Sequence, residues 1–224
     1  HVVILQQLSG GAPFIIDWRV QGPGQELAAG REMVAQLRER IGAENIKWLL
    51  MDGAYVDGAW LAELQELGIG VAVRIREGMD IFEEMQLLSQ VPEYAYEPYR
   101  YLRTIQGHKE WHEVELALSE GLDMWQSYRQ AWAERDEPCP GLWGLLVREE
   151  REDKAGQVEQ IEWGLALSRP VHSRADAFQQ WRKRWGVENR GMRELNQGGW
   201  LESQTWGRSE QAVQTSIALK IGAH

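Results

Sequence analysis

Cysteine is almost absent from this chain of 224 residues. Cys139 stands alone, which excludes an internal disulfide and a cysteine-ligated zinc cluster and suits a reducing cytoplasm. Long apolar runs are missing too. No run has the roughly 20 residues that a membrane-spanning helix needs, and the N-terminus lacks a basic-then-apolar export signal. Positive charge is scarce: 24 Lys and Arg stand against 34 Asp and Glu, a formal net charge of −10. That balance disfavours a chain-wide grip on nucleic acid, whose phosphates draw cations. It leaves room only for a local basic face. Nothing matches a nucleophile elbow or a phosphate loop. His108 and His112 have metal-like spacing, but they fall in or beside a predicted strand and lack the Glu of a metalloprotease helix.

What the chain does have is tryptophan, 12 in all. Most should serve as core or half-buried packing, and some could stack on nucleic-acid bases. The length allows one large domain or a domain with a big insertion. Opening on His1 rather than Met suits a piece of a longer protein.

The first part reads as alternating strands and helices. Residues 2–8 and 13–20 form two strands joined by a short Gly-containing link, an antiparallel hairpin. Residues 26–41 form a helix with Leu27, Val34, Leu37 and Ile41 on one face and Gly42 as its stop. The nearly continuous apolar run 46–51 (IKWLLM) predicts a buried strand, with Asp52 directly at its carboxyl end. A helix follows, capped by Asp57, turning Trp60, Leu61, Leu64 and Leu67 inward and stopping at Gly68. Residues 69–75 form the next strand. Strand, helix, strand at this spacing is a right-handed βαβ unit.

From residue 79 to 168 the pattern becomes β-rich. A short helix covers 81–88, strands are expected at 99–105, 111–118, 142–148 and 158–167, and helical spacing marks 122–132. Period-two alternation in 111–118 and 158–167 predicts a separate β-rich layer beside the core. Residues 209–221 read as a capped C-terminal helix.

Between them lies a helix from about 173 to 197. Ser173 and Asp176 form its capping signal, Gly198 and Gly199 close it, and Trp181, Trp185, Met192 and Leu195 recur along one face. Glu188 occupies the vacant slot on that face. A carboxylate there is costly to bury without a cation or donor. An i, i+4 pair with Arg184 on a solvated surface is the plain alternative.

Trp181-x-x-Arg184-x-x-x-Glu188, with the run Arg184-Trp185-Gly186-Val187-Glu188, resembles the Tyr-x-x-Arg-x-x-x-Glu-x-x-x-x-x-x-Lys signature of the DDE transposases of bacterial insertion sequences. Trp181 stands where that family has Tyr, and Leu195 where it has Lys. Leu50-Met51-Asp52-Gly53-Ala54-Tyr55 resembles the family's strand-ending Asp-Arg-Gly-Tyr run, with Gly53 in place of Arg. The β-rich stretch resembles the insertion carried by the insertion sequence 4 group.

The resemblance implies an α/β, ribonuclease H-like mixed sheet flanked by helices and lacking its first strand. Residues 1–78 and 169–224 would form the catalytic core and 79–168 the insertion. It implies Asp52 and Glu188 as the second and third acidic residues, with the first Asp on a strand before His1. Asp17 is not its substitute, because a strand followed directly by the helix 26–41 is the third of that fold. Asp17 is instead read as solvated. The implied chemistry is phosphodiester hydrolysis and strand transfer with two Mg²⁺ or Mn²⁺ ions held by carboxylates, Asp52 and Glu188 among them. Arg184 would orient Glu188 or meet a phosphate oxygen. Arg182, Lys183, Arg190 and Arg193 would face nucleic acid, and Trp181 would pack on a sugar or base or, equally, in the core. The partner would be double-stranded DNA, at transposon ends and target, with room for a homodimer on DNA, no membrane, and a place at the nucleoid of the bacterial cytoplasm. A shared metal pair would bring the Asp52 and Glu188 carboxylates within about 4–8 Å, with at least one pKa raised. The competing reading is a non-catalytic, Trp-rich binding or scaffold domain derived from a transposase, and a third is a nuclease of the same fold.

Overall fold

The computed structural model describes residues 2–8, 14–105, 108–152 and 157–186. The chain divides into two compact units, residues 1–36 with 180–224, and residues 37–179.

In the first unit, β1 (Val2–Gln7) and β2 (Phe14–Val20) form the expected antiparallel hairpin, a two-stranded sheet of its own. Its register pairs Val3 with Arg19 and Leu5 with Asp17. Asp17 differs from the solvated carboxylate expected from alternation. It is half-buried, accepting from Arg19 Nη1 at 2.7 Å and from the Trp18 amide at 2.8 Å, while Arg19 Nη2 donates to Gln36 at 2.8 Å. Helix α1 (Glu26–Ile41) has the expected bounds but a different inward stripe. Ala29, Gly30, Met33 and Val34 are buried, whereas Leu27 and Leu37 are half-buried and Ile41 is exposed. Val34 keeps its expected inward place, while Ala29, Gly30 and Met33 take the places expected of the leucines and Ile41.

The second unit is a mixed α/β arrangement around a six-stranded sheet. Its strands are β3 (Trp48–Met51), β4 (Gly70–Ile75), β5 (Glu97–Ile105), β6 (His108–Leu122), β7 (Leu142–Glu152) and β8 (Val158–Leu167). Their spatial order is β3-β4-β8-β7-β6-β5. Only β3 and β4 run parallel. They are joined by α2 (Gly58–Glu66), which completes the βαβ unit. Asp57 caps this helix by accepting from the Trp60 amide at 2.7 Å. Gly68, at φ 71°, ends it. There the Ile69 amide reaches Leu64 O and the Gly68 amide Gln65 O, both at 2.9 Å, a closure that glycine allows because it enters left-handed space without strain.

The β-rich stretch is not a layer apart. Strand β8 pairs antiparallel with β4, Ala72 opposite Leu167 and Ile75 opposite Gly164. The strands expected beside the core therefore extend its sheet. Alternation fixes which face a side chain takes, not which strand lies next to it.

Helices cover both faces. Helix α3 (Asp80–Leu88) buries Ile81, Phe82 and Met85. It lies over glycines: a Cβ built on Gly164 would meet Met85 Cε at 2.9 Å and Phe82 at 3.0 Å. Helix α5 (Arg174–Gly186) begins as the sequence predicts, Ser173 Oγ accepting from the Asp176 amide at 3.1 Å. Its Phe178 packs edge-on against Tyr99 and Tyr101 of β5, centroids 5.7 and 5.2 Å away, and lies 6.4 Å from Trp163 of β8. Trp163 and Gly164 are adjacent in a strand, so α3 and α5 lie on opposite faces. Helix α4 (Gln126–Ala133) buries Tyr128 and Trp132. It meets α2 at Gly58, where a Cβ would collide with the backbone of Tyr128. Among the described residues no helix is long and apolar enough to cross a membrane.

Candidate active site

Asp52 leaves β3 at its carboxyl end, and the chain turns at once into a 3-10 turn, Gly53–Tyr55. Its position is set locally. Oδ1 accepts from the Gly53 amide at 2.7 Å, and the Asp52 carbonyl accepts from the Tyr55 amide at 2.9 Å. The residue is exposed. In a parallel pair both strands end at the same rim, where the connecting helix starts and where α/β sheets bind ligands. The residues just after β4 therefore lie beside Asp52. Arg76 is one of them. Its Nε and Nη2 donate to the Gly53 carbonyl at 3.1 and 2.8 Å. Neither the hydrophobic pattern nor any motif singled out Arg76. The usable signal was the βαβ unit, which brings the residue after each strand to one rim.

The other predicted site residues sit in the second half of α5. Trp181 is buried at 3 % exposure, and the Arg184 guanidinium lies 4.8 Å from its ring centroid. A cation over an indole face is held there by the ring quadrupole. Arg182 and Arg184 are half-buried and Lys183 is exposed, its Nζ donating to Gln180 at 2.7 Å. The structure thus brings Arg184 and Trp181 together. Glu188, Arg190, Arg193 and Leu195 lie outside the described residues, and with them the expected approach of Glu188 to Asp52. The end of the helix near 197 and the helix at 209–221 lie outside them as well.

Asp52 offers hard carboxylate oxygen on an accessible rim, the donor type that selects Mg²⁺ or Mn²⁺ over softer ions. Among the described residues no group of three His, Cys, Asp or Glu is placed to hold a metal. A metal pair would thus draw on Asp52 and on carboxylates beyond these residues.

A second polar cluster supports the α3 face. The Glu162 carboxylate accepts from Tyr96 Oη at 2.6 Å, from Gln86 at 2.5 Å and from Arg148 at 3.0 Å, and Arg148 also meets Glu115 at 3.4 Å. Arg148 lies 4.0 Å from the Tyr96 ring centroid. Burial pushes the Glu162 pKa up, but the three donors together outweigh it and hold the carboxyl below its ordinary range. Burial, reinforced by the bond to Glu162, pushes the Tyr96 hydroxyl up. These contacts tie α3, β7 and β8 together.

No protein-family model and no curated protein matches the chain.

Proposed function

We propose that this chain is the catalytic core of a DDE transposase of ribonuclease H-like fold, cutting and joining phosphodiester bonds at transposon ends. The observation that carries this reading is the position of Asp52, an exposed carboxylate at the carboxyl rim of a parallel β3–α2–β4 unit. The order hairpin, helix, strand, helix, strand supports the fold assignment. Asp52 and Glu188 would hold a Mg²⁺ or Mn²⁺ pair together with an Asp from a strand before His1. When bound, such a pair activates a water or a DNA 3′-hydroxyl and stabilises the leaving oxygen. The chain's own residues do the positioning. The Gly53 amide holds one Asp52 oxygen. Arg184, resting on Trp181, orients Glu188 or meets a phosphate oxygen. Arg182, Lys183, Arg190 and Arg193 concentrate positive charge for double-stranded DNA, on which the protein would act as a homodimer at the bacterial nucleoid.

One observation favours the scaffold reading. Trp111 is 64 % exposed, opposite Leu102 at 41 %, with Arg100 5.6 Å from its ring centroid. An exposed tryptophan opposite an exposed leucine on a sheet face suits a binding module.

Nicking of supercoiled plasmid in Mg²⁺ or Mn²⁺ by the full-length protein separates the two. The transposase reading expects nicking by the wild type, lost in D52N and in E188Q while DNA binding persists. Equal nicking by all three, or no metal-dependent nicking at all, contradicts it.

A further inference from the structure

Asp52 sits next to the most pliable residue in its loop. Glycine has the widest backbone freedom, so Gly53 is where the turn would slacken. The hydrogen bonds from Asp52 Oδ1 to the Gly53 amide and from the Asp52 carbonyl to the Tyr55 amide are internal to the turn. They shape the turn itself. Arg76 ties the turn to the end of β4, donating from two nitrogens of one rigid guanidinium to the Gly53 carbonyl at 3.1 and 2.8 Å.

We infer that Arg76 is a positioning residue for Asp52: it pins the Gly53 peptide to the end of β4 and so fixes the direction in which the Asp52 carboxylate is presented. The inference rests on the proposed function for what Asp52 is presented to, but not for the pinning itself. Arg76 is exposed, so packing does not require its head group to be where it is. Its target is a backbone carbonyl, which a substitution at position 53 would not remove. A Cβ at Gly53 would meet Arg74 O at 3.5 Å and Arg76 Cγ and Nε at 3.9 Å, ordinary contacts, so glycine is not there to make space for Arg76. A planar fork can give two donors to one acceptor, whereas lysine can give one.

The test uses the full-length protein as wild type, R76M, R76K and D52N, with two readouts. The first is amide hydrogen exchange over residues 52–56, which reports the Gly53 and Tyr55 amides. The second is Mn²⁺ affinity by electron paramagnetic resonance. Pinning predicts faster exchange in that segment for R76M, partial recovery in R76K, and unchanged exchange in β4 and α2. Where the wild type binds Mn²⁺ through Asp52, R76M should weaken it roughly ten- to a hundredfold, as loss of a group that orients a metal ligand does. Unchanged exchange at 52–56 in R76M overturns the inference, as does acceleration spread over the whole unit. Failure of both wild type and D52N to bind Mn²⁺ would instead contradict the proposed function, while the exchange result still decides the role of Arg76.

Discussion

Ser168 and Val71 exchange two hydrogen bonds. The Ser168 amide donates to the Val71 carbonyl at 3.0 Å, and Ser168 Oγ accepts from the Val71 amide at 2.8 Å. Both residues are buried. The side chain thus continues the β4–β8 pairing one step past the end of β8, where the β-rich stretch returns to the βαβ unit. Ser168→Ala leaves the Val71 amide buried and unpaired, which costs about 1–3 kcal/mol. Urea unfolding should show that loss without a change in slope. A cost near zero would mean that the joint is not held this way.

Gly58 opens α2 against α4, where an added Cβ would strike the Tyr128 backbone. Two effects oppose each other in Gly58→Ala. Alanine favours a helix interior over glycine by about 1 kcal/mol, and by less at a first position. Overpacking costs roughly 1–3 kcal/mol, and a backbone neighbour yields less readily than a side chain. Net destabilisation is expected, read as a lower midpoint in urea. A neutral or stabilising result would show that α4 can retreat.

Glu162 sets a pH dependence. Its folded pKa lies below the ordinary carboxylate range because the Tyr96, Gln86 and Arg148 donors outweigh its burial. A depressed carboxyl contributes stability that is present above the unfolded pKa of about 4.3 and is lost as pH falls through the lower folded value. Wild type should lose stability over that acid range more steeply than Glu162→Gln. Parallel acid profiles for the two would remove Glu162 from the account.

A chain beginning at His1 should cleave DNA poorly by itself, because the proposed site takes its first carboxylate from a strand before that residue. The measurement is Mg²⁺-dependent nicking by residues 1–224 beside the full-length protein. Robust nicking by the shorter chain would turn attention back to Asp17, despite its pairing with Arg19.

Local chemistry made much of this structure legible. Asp57 and Gly68 bound α2 because a cap and a left-handed stop are written in one or two residues. Ser173 marks the start of α5 for the same reason. Asp52 could be placed at a strand end because a short apolar run stops there. Non-local choices were not legible. The link between Ser168 and Val71 spans 97 residues, and nothing in either strand names its partner. Strand β6 runs from His108 to Leu122, well beyond the alternating part at 111–118, because its start pairs with β5 and its end with β7. The inward stripe of α1 takes Ala29, Gly30 and Met33 beside Val34 rather than Leu27, Leu37 and Ile41, because what surrounds a helix, and not its own hydropathy alone, decides which face is buried. Arg76 follows the strand 69–75 and carries no signal of its own until the rim is assembled.

The central claim is that Asp52 and Glu188 serve one metal site. Mn²⁺ dissociation constants for wild type, D52N, E188Q and the double variant test it most directly. Removing a ligand should cost at least as much as removing a group that merely orients one, so each single variant should weaken binding by about tenfold or more. Sites that share a ligand are not additive, so the double variant should bind little worse than either single one. If one substitution leaves Mn²⁺ affinity unchanged, or the two losses simply multiply, Asp52 and Glu188 do not share a site and the transposase account fails.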